Sequence, residues 1–448
     1  MSLGEDFLDS AERPPERPAT PDAEGFLRER AMTYACDVRE VPLGALARWR
    51  LGDDLAHDTR RFFTVEGVAV ETNFGRTPRW TQPILMQPEI GLLGFLAKRI
   101  AGTLYLLAQA KMEPGNQVLV QFSPTVQATP SNYTRVHGGR PTPYLDRFLG
   151  SARGRVLVDQ LQSEQGSRYY RKRNRNMIVE VPEDEDLPLE RDFAWLTLGQ
   201  LRGLLARGNR VNMNARTVLS CIAYAGAAPR SGAVLASHLA PCAAEELQDA
   251  LSWLADVKTA FHLDTRRIRL GELTDWIADD QSIRHVRGRF FRVIGVSVSA
   301  GNREVDAWAQ PMIAPTQQAH VVFLCQRRAG VLQLLVQARV EPGFIDRVEL
   351  GPTVQIALHD EIRREELPPL AEYLDAPAER VRFSAVQSED GGRFYHQQTI
   401  HRVIELPENE PLDVPPGYRW MSLALLKRLM RRGYIVDIEA RSAMACLG

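Results

Sequence analysis

The sequence predicts an α+β protein built from two diverged copies of one domain in tandem, and three observations carry that expectation. The chain has 448 residues, too many for one ordinary core. It repeats itself, in order, over most of its length. Its patterning mixes short apolar runs, alternating runs and helical spacing, punctuated by turn residues.

Taken in order, residues 1–24 are polar and proline-rich (Arg13-Pro14-Pro15-Glu16-Arg17-Pro18) and read as a flexible lead-in. The first copy is placed at 25–225, a helical connector at 226–262 and the second copy at 263–448. Trp80-Thr81-Gln82-Pro83 recurs as Trp308-Ala309-Gln310-Pro311, 228 positions on. At the same offset Gln109-Ala110-Lys111-Met112-Glu113-Pro114-Gly115 recurs as Gln337-Ala338-Arg339-Val340-Glu341-Pro342-Gly343. Pro124-Thr125-Val126-Gln127 likewise recurs as Pro352-Thr353-Val354-Gln355. Further on the offset is 225: Gln162-Ser163-Glu164 matches Gln387-Ser388-Glu389, and Arg168-Tyr169-Tyr170 matches Arg393-Phe394-Tyr395. Ala215-Arg216 falls on Ala440-Arg441. A duplication with one short insertion in the first copy explains both offsets.

Residues 102–112 and 330–340 read as strands ending at Glu-Pro-Gly turns. Residues 155–164 alternate, Gly166-Ser167 breaks the run, and 170–181 resumes it, as in a hairpin or two adjacent strands. Residues 196–207 and 421–432 have helical spacing and close on Gly208 and Gly433. Residues 243–256 read as a helix in the connector.

Lys plus Arg (55) nearly cancels Asp plus Glu (56), so no global field favours nucleic acid or a membrane surface. No apolar run is long enough to span a bilayer, and the N-terminus lacks a signal-peptide pattern. The five cysteines form no CxxC pair and fit reduced thiols in a cytoplasmic protein. The nine histidines show no HExxH spacing, and no GxGxxG follows a strand, so neither a metal nor a nicotinamide is expected.

Three clusters carry polar chemistry. Arg168, Arg171, Lys172, Arg173 and Arg175 stand within eight residues, interleaved with Tyr170, Asn174 and Asn176. Forked guanidinium donors suit a diphosphate, and amides pair with hydroxyls. On charge alone a solvated strand edge is the commoner fate. Alternation sends Arg171, Arg173 and Arg175 to one face and Lys172, Asn174 and Asn176 to the other, so only one set can line a pocket. The second cluster is Thr125, Gln127, Ser131, Asn132 and Tyr133, which ordinary turn chemistry also explains. The third is Trp80 with Gln82, an aromatic beside an amide, for which a core position is commoner. The lone His137 reads as a loop residue.

The strings Gln87-Pro88-Glu89-Ile90-Gly91-Leu92-Leu93-Gly94-Phe95, Ser123-Pro124-Thr125-Val126-Gln127-Ala128-Thr129, Ser131-Asn132-Tyr133-Thr134 and Leu161 through Met177 resemble the NDP-hexose 2,3-dehydratases. The resemblance covers the chain from about residue 25 and includes the duplication. It implies two tandem Nudix-like α/β/α sandwich domains without the Nudix magnesium helix, of which Arg363-Arg364-Glu365-Glu366 is only a scrap. It implies one sugar-nucleotide pocket per copy, a homodimer, no cofactor, and a dTDP-linked 4-keto-6-deoxyhexose as substrate. A 3-ketoreductase or aminotransferase would consume the product. In this frame Tyr133, Glu164 and Tyr170 are the catalytic candidates. The binding candidates are Trp80, Gln82, Gln109, Lys111, Thr125 and Gln127, with Ser131, Asn132 and the cationic run with its asparagines. The second copy offers Trp308, Gln337, Arg339, Thr353, Gln355, Glu389, Arg393 and Tyr395 for a degenerate pocket. There 171–176 gives way to His396-Gln397-Gln398-Thr399-Ile400-His401, and Ser131-Asn132-Tyr133 to His359-Asp360-Glu361, so the first copy is expected to do the chemistry. A Nudix-type pyrophosphohydrolase and a non-catalytic sugar-nucleotide binder are the alternatives.

Overall fold

Two seven-stranded mixed sheets form the body, one from each copy, and each is organised around a tight hairpin. A computed structural model of the chain describes residues 2–15, 17–133, 141–150, 154–228, 230–300, 306–358 and 366–447. In the first copy Gly91–Ile100 and Thr103–Met112 pair antiparallel across Ala101-Gly102, both at positive φ (49° and 79°). Ala329-Gly330 makes the same turn in the second copy, between Gln318–Arg328 and Val331–Val340. The period-two pattern splits these strands between two faces. Phe95, Ala97, Leu104 and Leu106 enter the central core, while Leu96, Tyr105 and Leu107 enter an outer cluster.

Arg155–Ser163 and Arg173–Glu180 pair antiparallel, Ser163 opposite Arg173, in the hairpin arrangement the alternation predicts. Arg173–Glu180 then runs parallel to Gly91–Ile100, with Asn174 beside Gly91. The helix Leu198–Ala206 begins at a capping box of Thr197 and Gln200 and buries Leu201, Leu204 and Leu205.

The first 24 residues are not a flexible lead-in. Leu3–Glu12 is a helix that buries Phe7 and Leu8. Its Ser10 hydroxyl donates to the Leu104 carbonyl at 2.5 Å and accepts from the Leu198 amide at 3.0 Å. In the connector, Ala233–Leu239 does the same: the Ser237 hydroxyl donates to Leu332 and accepts from Leu423 at 2.9 Å. Lead-in and connector are therefore the same first helix of two equivalent copies. Composition hid this, because the prolines at 14, 15 and 18 lie between helices and in none.

The copies also exchange a strand. Cys36–Val41, from the first, pairs antiparallel with Phe291–Ala300 of the second. Leu263–Ile268, from the second, pairs antiparallel with Thr64–Thr72 of the first. Each exchange completes a five-stranded sheet. Two buried arginines lock the centre. Arg216, in the helix Met213–Ser220, donates to Ser442 at 2.5 Å and to the Ser388 carbonyl at 2.7 Å. Arg441, in Ile438–Ala445, donates to the Ser163 carbonyl at 2.5 Å. The main apolar cluster runs without a break from Phe7 to Leu447, so the two copies share one core.

Each Glu-Pro-Gly turn docks on the other copy. The Gly343 amide donates to the Gly166 carbonyl at 2.7 Å, and the Arg171 amide donates to the Gly343 carbonyl at 2.9 Å. A Cβ on Gly343 would lie 1.7 Å from the Tyr169 carbonyl oxygen, where neither backbone can yield freely. Gly343→Ala is expected to cost about 3 kcal/mol by displacing the loop that carries Tyr169. Denaturant unfolding checks this, and unchanged stability would mean that the turn is not a packing constraint.

Candidate active site

A cavity of about 660 Å³ opens on the first copy, and both copies line it. That volume suits a small-molecule ligand. The large first-copy sheet contributes Lys111, Gln127, Glu164, Lys172 and Asn174. The segment 47–63, which includes the paired strands Trp49–Leu51 and Leu55–His57, contributes Trp49, Arg61 and Phe62. From the second copy come Trp308, Gln310, Asp390 and Arg393. The strand exchange brings these across, because Ala307–Pro315 pairs with Phe291–Ala300, the strand that holds Cys36–Val41.

The floor is a set of buried ionisable groups. Glu164, just beyond Arg155–Ser163, accepts from the Asn174 amide at 2.6 Å through Oε1, and its Oε2 has no hydrogen-bond partner. Burial, with the Asp390 charge second, raises its carboxyl to about 7, against the pull of Arg441, Lys172 and Asn174. The Lys172 ammonium donates to the Glu89 carbonyl. Burial lowers its pKa to about 8, with Glu164 opposing. The Tyr169 hydroxyl donates to Asp390 Oδ2 at 2.5 Å, and burial, reinforced by Asp390, lifts its pKa well above the usual range. On the wall, Gln127 donates to Glu113 at 2.7 Å and accepts from Asn212 at 3.1 Å. Ser131 gives both its amide and its hydroxyl to Glu89, at 2.8 Å each.

The cationic run reaches this cavity only at Lys172. Arg175 pairs with Asp159 at 2.6 Å on the outer face, and Arg171 is exposed at φ 52° with its guanidinium over the Tyr170 ring. Arg173 is half-buried beside them, outside the lining. Arg168 is half-buried, with its guanidinium over the Phe291 ring at 4.3 Å, and feels Glu341 and Glu439 of the second copy. Asn176 is buried and donates to the Asn174 carbonyl at 3.2 Å. The expected split of the run into two faces is therefore what the strand shows.

Other expectations need correction. Tyr170 does not face the cavity; its hydroxyl meets Thr265 at 3.3 Å and its ring joins a small cluster around Ile84. Tyr169 takes that place. Thr125 donates to the Leu107 carbonyl and accepts from the Leu96 amide at 2.8 Å, and Thr353 repeats this with Leu335 and Leu324, so both tie strands together. Gln82 is held by Trp80 and by the Ser167 carbonyl, each at 2.9 Å, outside the lining. Gln109 lies opposite Ser123 and Phe193, also outside it. Trp308 and Arg393, assigned to a second pocket, line the first-copy cavity. Of the remaining second-copy candidates, Gln337 and Arg339 bond each other at 3.2 Å, Gln355 leaves Oε1 without a partner, and Tyr395 stacks on His396. The side chains of Asn132 and Tyr133, and all of His137 and 359–365, lie outside the described residues.

Glu89, Glu113, Tyr169 and Asp390 escaped the sequence reading. A signal existed for two of them. Tyr169 aligns with Phe394, and Asp390 with Gln165, so the hydroxyl–carboxylate pair exists at one cavity and has no equivalent at the other.

Titratable groups shifted toward neutrality and gathered in one cavity mark a candidate site for proton transfer. The comparisons narrow the class. The family model for NDP-hexose 2,3-dehydratase matches residues 20–222 and again 247–447, and the chain belongs to that family. A dTDP-4-dehydro-6-deoxy-alpha-D-glucopyranose 2,3-dehydratase of Saccharopolyspora spinosa is 45% identical over 438 residues, 94% of this chain and 90% of its own. Relatives of the same description from Amycolatopsis orientalis and Streptomyces violaceoruber are each 42% identical, covering 96% and 95% of this chain and 90% and 97% of their own. A solved Ap4A hydrolase of C. elegans aligns with 25% of this chain and 95% of its own at 11% identity and TM-score 0.17, too slight a likeness to argue from. The protein is thus a carbon–oxygen lyase for a sugar nucleotide. Among the described residues no helix is long and apolar enough to cross a membrane.

Proposed function

We propose that the protein removes water from dTDP-4-keto-6-deoxy-D-glucose, giving the dTDP-3,4-diketo-2,6-dideoxy sugar, with Glu164 as the proton carrier. The observation that carries this is a buried carboxyl with one free oxygen and a pKa of about 7, beside a lysine and a tyrosine in one cavity. The C4 ketone acidifies the C3 hydrogen. Ionised Glu164 takes that proton, and the Lys172 ammonium and Tyr169 hydroxyl stabilise the negative charge on O4. In a D-gluco ring the C3 hydrogen and C2 hydroxyl lie on one face. The same carboxyl therefore returns its proton to the C2 oxygen, which leaves as water. The remaining enol moves its proton from O3 to C2 and becomes the C3 ketone. Electrons are conserved throughout. Arg61 and Arg393 face the diphosphate, and Trp308 offers a ring for the base.

A narrow pH–rate bell is expected. Below about 7 Glu164 is protonated and cannot accept, and above about 8 Lys172 loses its charge. The two limbs belong to the pair. A steady-state profile of kcat with the 4-keto sugar nucleotide, in the presence of EDTA, checks this. A flat profile from pH 5.5 to 9.5 would remove the pair from the chemistry, and release of nucleoside monophosphate would favour hydrolysis instead.

The reading extends to a homodimer in the cytoplasm. The product is a vicinal dicarbonyl, so a 3-ketoreductase or aminotransferase must consume it. Light scattering that gives a monomer would reject the dimer.

A further inference from the structure

At the positions where the first copy carries Glu164, Asn176 and Asn214, the second copy carries Glu389, His401 and Glu439. Duplication has thus set two carboxylates and an imidazole where one carboxylate and two amides stand in the other half. The three are buried, His401 completely. One ligand-type atom from each lies within 4.8 Å of those of the other two. Both nitrogens of His401 lack a hydrogen-bond partner, as do Oε1 of Glu389 and Oε2 of Glu439. Burying so many unmatched polar atoms in one place costs several kcal/mol unless something satisfies them together.

The protein around them does not. The Gln165 amide donates to the other oxygen of Glu389 at 3.0 Å, and the Thr399 hydroxyl also bonds Glu389, but Oε1 stays without a partner. Arg216 stands near but spends its donors on Ser442, the Val211 carbonyl and the Ser388 carbonyl. None of the three residues lines the first-copy cavity.

We infer that Glu389, His401 and Glu439 form a binding site for one divalent first-row transition cation, of the zinc, cobalt and manganese class, inside the second copy. Mixed imidazole and carboxylate donors suit these ions. Donor atoms around one ion sit about 3 to 4 Å apart, so a spread of 4.8 Å needs only small side-chain adjustments. Two carboxylates and a neutral imidazole offset the ion's own charge, while the buried Arg216 beside them adds one positive charge that the site must also tolerate. The supports are complementary: Glu389 follows the strand Val381–Ser388, His401 lies in its partner Gln398–Leu406, and Glu439 comes from the helix Ile438–Ala445 packed on that partner. The ion would staple that helix to the sheet. This site is independent of how the first-copy cavity works.

The test uses the whole chain, purified without a metal-affinity step. After dialysis against metal-free buffer, elemental analysis is expected to find one equivalent of such an ion per chain. Protein stripped by chelator should gain thermal stability with added zinc or manganese, and cobalt should give the visible absorption of a protein-bound ion. His401→Asn and Glu439→Asn install the residues that the first copy uses, and each should weaken binding about 100-fold or more. The inference is overturned if the wild-type chain holds no ion and shows neither a thermal shift nor a cobalt spectrum. It is equally overturned if both variants bind as the wild type does. Should a variant fail to fold, the wild-type stoichiometry still decides.

Discussion

Glu164→Gln is expected to lower kcat about 1,000-fold, the effect that deleting a positioned proton carrier has. The fold tolerates the change for a specific reason. Glu164 is buried with a pKa raised to about 7, so the folded state already accommodates its neutral form. A glutamine oxygen can still accept from Asn174, as Glu164 Oε1 does at 2.6 Å. Tm is expected to stay within about 3 °C of wild type. The distinguishing measurement is kcat against KM. A proton carrier acts in the transition state, so kcat falls while KM changes little. A variant with kcat intact would leave the proton to another cavity carboxylate, Asp390 on the Tyr169 hydroxyl or Glu89 on the Ser131 hydroxyl. A rise in KM at constant kcat would make Glu164 a binding group for the sugar.

The second large effect comes from the other copy. Asp390→Asn is expected to lower kcat about 100-fold, because Tyr169 then loses the charge that orients its hydroxyl. Arg393→Ala should act on KM, through the lost cation at the cavity wall. The comparison that gives these numbers meaning is Gln397→Ala. Gln397 occupies the place in the second copy that Lys172 occupies in the first, and its loss should leave kcat unchanged within about twofold. Damage from Asp390→Asn without damage from Gln397→Ala places one working site across the seam. Equal damage from both would mean that the second half also turns over substrate.

Much of the architecture was legible because duplication writes itself twice. The hairpins at Ala101-Gly102 and Ala329-Gly330, the strands on either side of Gly166, and the helices closing on Gly208 and Gly433 follow from period and turn chemistry. The alternation through 171–176 also foretold that Lys172 and Asn174 would share one face and Arg171 and Arg175 the other, but not which face meets the cavity. The exchanged strands were not legible. Cys36–Val41 and Leu263–Ile268 look alike, and either would satisfy either sheet edge by pattern alone. That one ambiguity reassigned Trp308 and Arg393 to the wrong pocket and hid Asp390. Thr125 and Thr353 misled for another reason. A buried threonine bridging two strands and a threonine reading a ligand carry the same letter, and only the acceptor distinguishes them. Tyr169 lost to Tyr170 because 166–171 is a turn, with Arg171 at positive φ, so the alternation of the strand that begins at Arg173 does not extend back to either tyrosine.

The strand exchange has a consequence for ancestry. Two identical single-copy chains, each lending its first strand to the other, would make the same body as a symmetric pair with two equal sites. Joining them end to end removes the requirement that both halves carry one sequence. A difference between the seams, such as Asp390 against Gln165, then stands at one and not at its mirror position. Each half is then free to change by itself while both still close the shared core.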